Sequence, residues 1–184
     1  RTNGVTDHRI MDAMAAVRRE DFVPAERRAI AYLDEDVLLK AGGHGEARYL
    51  IEPMAFARMV HLASVKPTDH VLIVGAGSGY GAMIVSRLAH SVIGLESDIE
   101  LAAQARNMVA DCANVGIVEG NLGEGHAAYG PYDVVLIEGR NTAIPSSLFG
   151  QFNNTGRTGA ALCGGVVSNA RGAPVIGGQR CGRD

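Results

Sequence analysis

An α/β fold built on a mostly parallel sheet is what this sequence predicts, and three observations predict it. Short apolar runs alternate with helix-period segments from His70 onward. A glycine loop, Gly75-Ala76-Gly77-Ser78-Gly79, follows the first of those runs at once. A carboxylate, Glu96, ends the next run, 21 residues after Gly75. Alternation at this spacing implies right-handed crossovers, and so three layers: a parallel sheet with helices on both faces.

The elements follow in order. Asp7 caps a first helix that carries Ile10, Met11, Met14 and Val17 on one face. The acidic stretch Asp34-Glu35-Asp36 precedes apolar Val37-Leu38-Leu39, and Gly42-Gly43-His44-Gly45 is too rich in glycine to hold a helix or strand. Pro53 suits the first position of a second helix that runs to about Ser64. Val71-Leu72-Ile73-Val74 is wholly apolar, the mark of a strand buried on both faces. A helix over 81–89, a strand over 91–95, a helix over 98–111 and strands at 115–118 and 134–137 complete the alternation. From Asn153 glycines interrupt the chain; one strand is expected near Ala160–Leu162 and no element is assigned beyond Ser168, where disorder is the alternative.

Bulk properties bound the function. A chain of 184 residues with 47% hydrophobic and 20% charged residues suits one globular domain. The expected division is an N-terminal helical cap and substrate-side segment over 1–66, a nucleotide-binding α/β core over 67–163, and a tail over 164–184. No apolar run approaches the ~18 residues of a membrane span, and no secretory pattern opens the chain. It begins with Arg1 rather than Met, so a longer natural N-terminus is expected. A net charge of -3 gives no case for nucleic acid or anionic membrane. Residues 140–184 carry five arginines against the single acid Asp184; a solvated face is the plain reading, attraction of an acidic substrate the other. Cys112, Cys163 and Cys181 form no CxxC and no zinc spacing, so no metal is expected, and such sparse cysteine fits a reducing cytoplasm.

Ligands of open α/β sheets bind outside the carboxyl ends of the strands. Four features fall there: the glycine loop, Glu96, Asn121-Leu122, and Ile137-Glu138-Gly139. Glycine lets a ligand approach backbone with no Cβ in the way. A strand-end carboxylate can accept hydrogen bonds from both ribose hydroxyls. An amide at Asn121 can meet an adenine edge while Leu122 packs on the ring, and Glu138 lies near the expected reaction centre. Dinucleotide sites typically use GxGxxG, but the third glycine of that pattern falls at Tyr80. The GxGxG present is similar to the first motif of S-adenosylmethionine-dependent methyltransferases. The expected cofactor residues are Gly75, Ala76, Gly77, Ser78, Gly79, Tyr80, Glu96, Ser97, Asn121, Leu122 and Glu138.

Five further stretches carry a closer likeness: Arg18-Arg19-Glu20-Asp21-Phe22-Val23-Pro24, Ala31-Tyr32-Leu33-Asp34, Glu52-Pro53-Met54, Val71 through Tyr80, and Pro131-Tyr132-Asp133. In their order and spacing the chain resembles the protein-L-isoaspartate O-methyltransferase family over most of residues 5–163. That resemblance implies a Rossmann-like S-adenosylmethionine methyltransferase fold with an N-terminal helical extension. It implies methylation of the free α-carboxylate of isoaspartyl residues in damaged proteins, with S-adenosylhomocysteine as product, in the cytoplasm. The resulting ester closes to a succinimide that can reopen as aspartate, a protein repair. The acceptor carboxylate is already ionised at pH 7 and can attack a sulfonium methyl in line without a general base. Positioning and desolvation then dominate catalysis.

The chain departs from the family at stated positions. Tyr49-Leu50-Ile51-Glu52-Pro53 replaces a threonine-isoleucine-serine-glutamine-proline segment, so the family hydroxyl falls at Ile51 and glutamine becomes Glu52. Ile73 stands where the family has an acid that steadies the cofactor's methionine end, and Asn121 where it often has aspartate. No catalytic residue is assigned beyond the neighbouring candidate Glu52. Arg48, Arg140 and His44 are the candidates to meet an anionic substrate. A relative that holds the cofactor but acts on another acceptor, or only binds and regulates, is the second reading; oligomeric state is not legible.

Overall fold

The computed structural model describes residues 4–42, 47–141, 145–162 and 165–170. Helix α1 (His8–Ala15) starts on Asp7, whose side chain accepts from the backbone of Arg9, as expected of a cap. Ile10, Ala13 and Val17 are buried, but Met11 is half exposed, so the buried face of α1 is rotated from the expected one. Two 3₁₀ turns, Arg19–Phe22 and Ala25–Ile30, lead to a small antiparallel pair, β1 (Val37–Lys40) and β2 (Arg48–Leu50). Helix α2 (Pro53–Ala63) carries Pro53 at its first turn, where a missing N–H costs nothing.

The main sheet has the order β5-β4-β3-β6-β7-β8. It comprises β3 (His70–Val74), β4 (Ser91–Glu96), β5 (Val115–Glu119), β6 (Tyr132–Asn141), β7 (Phe152–Leu162) and β8 (Gly165–Ala170). The first five are mutually parallel and β8 is antiparallel to β7. Helices α3 (Tyr80–Val85) and α4 (Ile99–Met108) connect β3 to β4 and β4 to β5. The strand order reverses between β3 and β6, so the loop after β3 and the end of β6 meet at the topological switch point where such sheets bind ligands.

The strands alternate between two cores. Val71, Ile73, Val92, Val134 and Leu136 point to the face on which the helices pack, α3 and α4 against β4 and α4 against β5, with α2 beside β6, β7 and β8. Leu72, Val74, Leu95, Val135 and Ile137 line the other face, covered by Leu148 of a 3₁₀ turn over Ser146–Gln151. Burial on both faces explains the unbroken apolar runs. The C-terminal part holds more structure than its glycines suggested: β7 begins at Phe152, well before Ala160, and β8 pairs with it from Leu162↔Gly165 to Arg157↔Ala170. Arg157 fixes β7, bonding to Ser64 O at 2.6 Å and to the buried Asp69 carboxylate. No helix among the described residues is long and apolar enough to cross a membrane.

Candidate active site

The glycine loop is shaped first by the chain itself. Gly75, Gly77 and Gly79 have φ of +82°, +54° and +92°. A Cβ on Gly75 would lie 2.5 Å from the carbonyl oxygen of Glu138, and one on Gly77 3.1 Å from Leu39 Cδ1. Gly75 and Gly77 are therefore demanded by neighbours as well as by any ligand: β6 in the first case, the β1–β2 pair in the second. The backbone N–H groups of Gly75 and Ala76 both donate to Leu95 O, at 2.8 and 3.0 Å, which locks the loop to β4.

Glu96 closes the same corner from β4. It is fully buried, and its Oε2 accepts from Gly77 N at 2.8 Å. Its Oε1 accepts from Ser97 N at 2.8 Å, Asp98 N at 2.9 Å and Arg48 Nε at 3.3 Å. A buried carboxylate is stable only when so supplied with donors. Arg48, expected to meet substrate, lies over Glu96 instead and donates to Ser97 Oγ at 2.5 Å. Lys40 reaches Asp98 at 2.7 Å and Glu100 at 2.8 Å, so the hairpin is pinned across the strand end by charge.

Leu122 lies beside the loop, its Cδ1 4.0 Å from a Cβ built on Gly75. The exposed Asn121 uses its amide locally: Oδ1 accepts from Gly123 N at 2.9 Å and Nδ2 donates to Glu124 at 3.2 Å, an Asx-type turn. Tyr80 turns away from the loop into the core, edge-on to Phe22 at 5.5 Å and near Phe56 at 5.8 Å. Ser78 is buried with its Oγ lacking a hydrogen-bond partner.

Beside the first turn of α3 lies a feature that residue spacing alone does not reveal. Arg19 is 1% exposed; Nε donates to Ala31 O and Nη2 to Ile51 O, both at 2.6 Å, and its guanidinium lies 4.9 Å from the Tyr80 ring centroid. Its Nη1 has no hydrogen-bond partner. Glu138 projects from β6 onto the first turn of α3, where a Cβ on Gly81 would fall 1.8 Å from its Oε1; that oxygen is shielded from solvent and also has no partner. Burial pushes the Glu138 carboxyl up to about 8, with Arg19 opposing and Glu96 adding to the rise. Burial likewise lowers the Arg19 pKa, with Tyr80 and Glu138 opposing. The sequence signals were an arginine in an otherwise apolar-anchored turn and a fourth glycine, Gly81, continuing the alternate series.

In the Tyr49–Pro53 segment Ile51 is buried, its carbonyl held by Arg19. Asp36 accepts from Glu52 N and Asp34 from Met54 N, both at 3.0 Å, so the acidic stretch caps α2. Burial, then Asp34 and Asp36, raise the Glu52 pKa. Ile73 is wholly buried in the core. His44 and the Arg140 side chain lie outside the described residues.

A parallel sheet with a glycine loop and a buried strand-end carboxylate at its switch point defines the class, a nucleoside-binding α/β protein of the S-adenosylmethionine methyltransferase kind. The family described as "Protein-L-isoaspartate(D-aspartate) O-methyltransferase (PCMT)" matches residues 1–160, and the chain belongs to it. A protein-L-isoaspartate O-methyltransferase of Koribacter versatilis is 35% identical over 159 residues, covering 85% of this chain and 69% of that protein. One of Methanoregula boonei is 37% identical over 156 residues, covering 84% and 70%. A solved protein-L-isoaspartate O-methyltransferase superposes with a TM-score of 0.76 at 21% identity, covering 98% of this chain and 62% of its own. A putative one from Plasmodium falciparum, in complex with S-adenosyl-L-homocysteine, gives 0.73 at 18%, covering 95% and 87%. These structures share the fold, and this chain is shorter than the relatives it matches.

Proposed function

We propose that this chain binds S-adenosylmethionine at the switch point and methylates the free carboxylate of isoaspartyl residues in proteins or peptides. The observation that carries the reading is Glu96, buried at the end of β4 and bonded through Oε2 to the glycine loop. Oε1 already has three donors, whereas Oε2 has one, so Oε2 is the atom left to accept from a ribose. The residues fit the cofactor in kind: a loop without side chains for the nucleoside, Leu122 for the ring, and buried polar atoms of Ser78, Arg19 and Glu138 toward the rest.

When bound, the cofactor supplies an activated methyl group on a sulfonium. What the chain's own residues do is orient and exclude water. The β1–β2 hairpin, pinned by Lys40 and Arg48, covers the nucleoside end. Arg19 fixes Ile51, and Asp34 and Asp36 fix the start of α2, which sets the acceptor segment. The acceptor carboxylate is its own nucleophile, so no general base is required.

Radiolabelled methyl transfer to an isoaspartyl peptide tests the reading. Ester on the isoaspartyl peptide and none on its aspartyl counterpart supports it. The apolar Ile51 and the carboxylate of Glu52 favour a second reading, cofactor binding with a different acceptor; bound S-adenosylhomocysteine without isoaspartyl transfer would select it.

A further inference from the structure

We propose that Arg19 and Glu138 together clamp the amino-acid end of the cofactor, Arg19 Nη1 taking its carboxylate and Glu138 its ammonium. This rests on the S-adenosylmethionine reading above. One donor and one acceptor are left without partners in the interior, on opposite charges that act on one another. Interior polar groups are rarely left so, because a buried donor or acceptor without a partner loses its hydration and gains nothing in return. A zwitterion supplies what both lack, a carboxylate for the guanidinium and an ammonium for the carboxylate.

The placement supports this. Ile73 pairs with Leu136 across β3 and β6, so Glu138, two residues further, lies on the same face as Ile73 and one step nearer the strand ends. The face where Ile73 can offer only hydrocarbon receives a carboxylate from the next strand. Gly81 makes the room, since any side chain there would displace the Glu138 carboxylate. Tyr80, beside Gly81, supports the guanidinium with its ring. The charged and titratable groups acting on Glu138 are Arg19 from the first 3₁₀ turn and Glu96 from β4; Tyr80 on α3 feels Glu138 in turn.

A carboxyl that carries a proton in the free protein must lose it to receive an ammonium, so binding near pH 6.5 releases a proton. The test uses calorimetry on the full chain with two probes: S-adenosylhomocysteine, and 5′-methylthioadenosine, which keeps the adenosine and thioether but lacks the amino-acid end. Glu138→Gln preserves shape and should fold. The expected result is an affinity for S-adenosylhomocysteine at least tenfold weaker in Glu138→Gln, with 5′-methylthioadenosine within twofold of the parent. Heats in two buffers of different ionisation enthalpy should show close to one proton released per S-adenosylhomocysteine bound, and none with the other probe or the variant. Equal loss for both probes, or no loss for either, would overturn the clamp while leaving the cofactor reading in place. Binding of neither probe to the folded parent would remove the cofactor reading and the clamp with it.

Discussion

Replacing Glu138 by glutamine should change how stability depends on pH, by an amount set by one proton. The carboxyl, ordinarily near 4.5, is pushed up to about 8 in the folded chain, first by burial. A group whose folded pKa is raised contributes stability that is fully present below the unfolded pKa and is lost as pH rises through the folded one. Between those values the folded state holds one proton more than the unfolded state. Its stability therefore falls by about 1.4 kcal/mol per pH unit from this group alone. Glutamine cannot titrate, and the parent and variant share every other group. The stability of Glu138→Gln relative to the parent should thus rise by about 2 to 3 kcal/mol between pH 5.5 and 7.5. Urea denaturation at three pH values across that window measures it. A difference that stays flat within about 0.5 kcal/mol would refute the burial of an uncompensated carboxyl at the end of β6.

Other perturbations should give equally definite outcomes. Glu96→Gln replaces one acceptor with an amide N–H₂ facing either Gly77 N–H or the Ser97 and Asp98 N–H groups; calorimetry should show S-adenosylhomocysteine binding at least tenfold weaker, about 1.4 kcal/mol, and binding within twofold of the parent would contradict the role of Glu96. Arg157→Ala leaves the buried Asp69 carboxylate without its cation and should cost about 3 kcal/mol in denaturant melts. Gly75→Ala meets both a left-handed backbone, about 1–2 kcal/mol, and the carbonyl of Glu138; thermal melts should show it less stable than Gly150→Ala, where nothing lies near an added Cβ. Ile51→Ser combined with Glu52→Gln should lower KM for an anionic isoaspartyl peptide about fivefold, as removing one charge about 4 Å away in a wet site is worth about 1 kcal/mol.

Much of the sheet was legible because its strands are buried on both faces: Val71–Val74 and Val134–Ile137 leave no polar position to blur the pattern. Strand β7 was legible only at its end, near Ala160–Leu162, and β8 was not, because Gly156, Gly159 and Gly165 weaken any local strand signal; pairing of β7 with β6 and of β8 with β7 decides the outcome instead. At the site, the glycine loop and Glu96 were legible from spacing along one βα unit. The direction of Tyr80 was not, since a loop motif does not say which neighbour points inward, and here Phe22 and Phe56 draw the ring into the core. Asn121 has an amide suited to an adenine edge, but a turn with Gly123 two residues on uses the same oxygen. Arg48 was a candidate for a substrate anion; the anion it meets in the fold is Glu96, which spacing does not reveal. The meeting of Arg19 and Glu138 joins residues far apart in the chain through Tyr80 and Gly81, so the arginine and the extra glycine are visible in the sequence but their juxtaposition is not.

The measurement that bears most directly on the account is transfer of labelled methyl from S-adenosylmethionine to a matched pair of peptides, one isoaspartyl and one aspartyl, by the folded chain. The expected result is base-labile methyl ester on the isoaspartyl peptide alone, formed at least tenfold more slowly at limiting S-adenosylmethionine when Glu96 is replaced by glutamine. Folded protein that binds neither S-adenosylmethionine nor S-adenosylhomocysteine, or that esterifies both peptides equally, would contradict it.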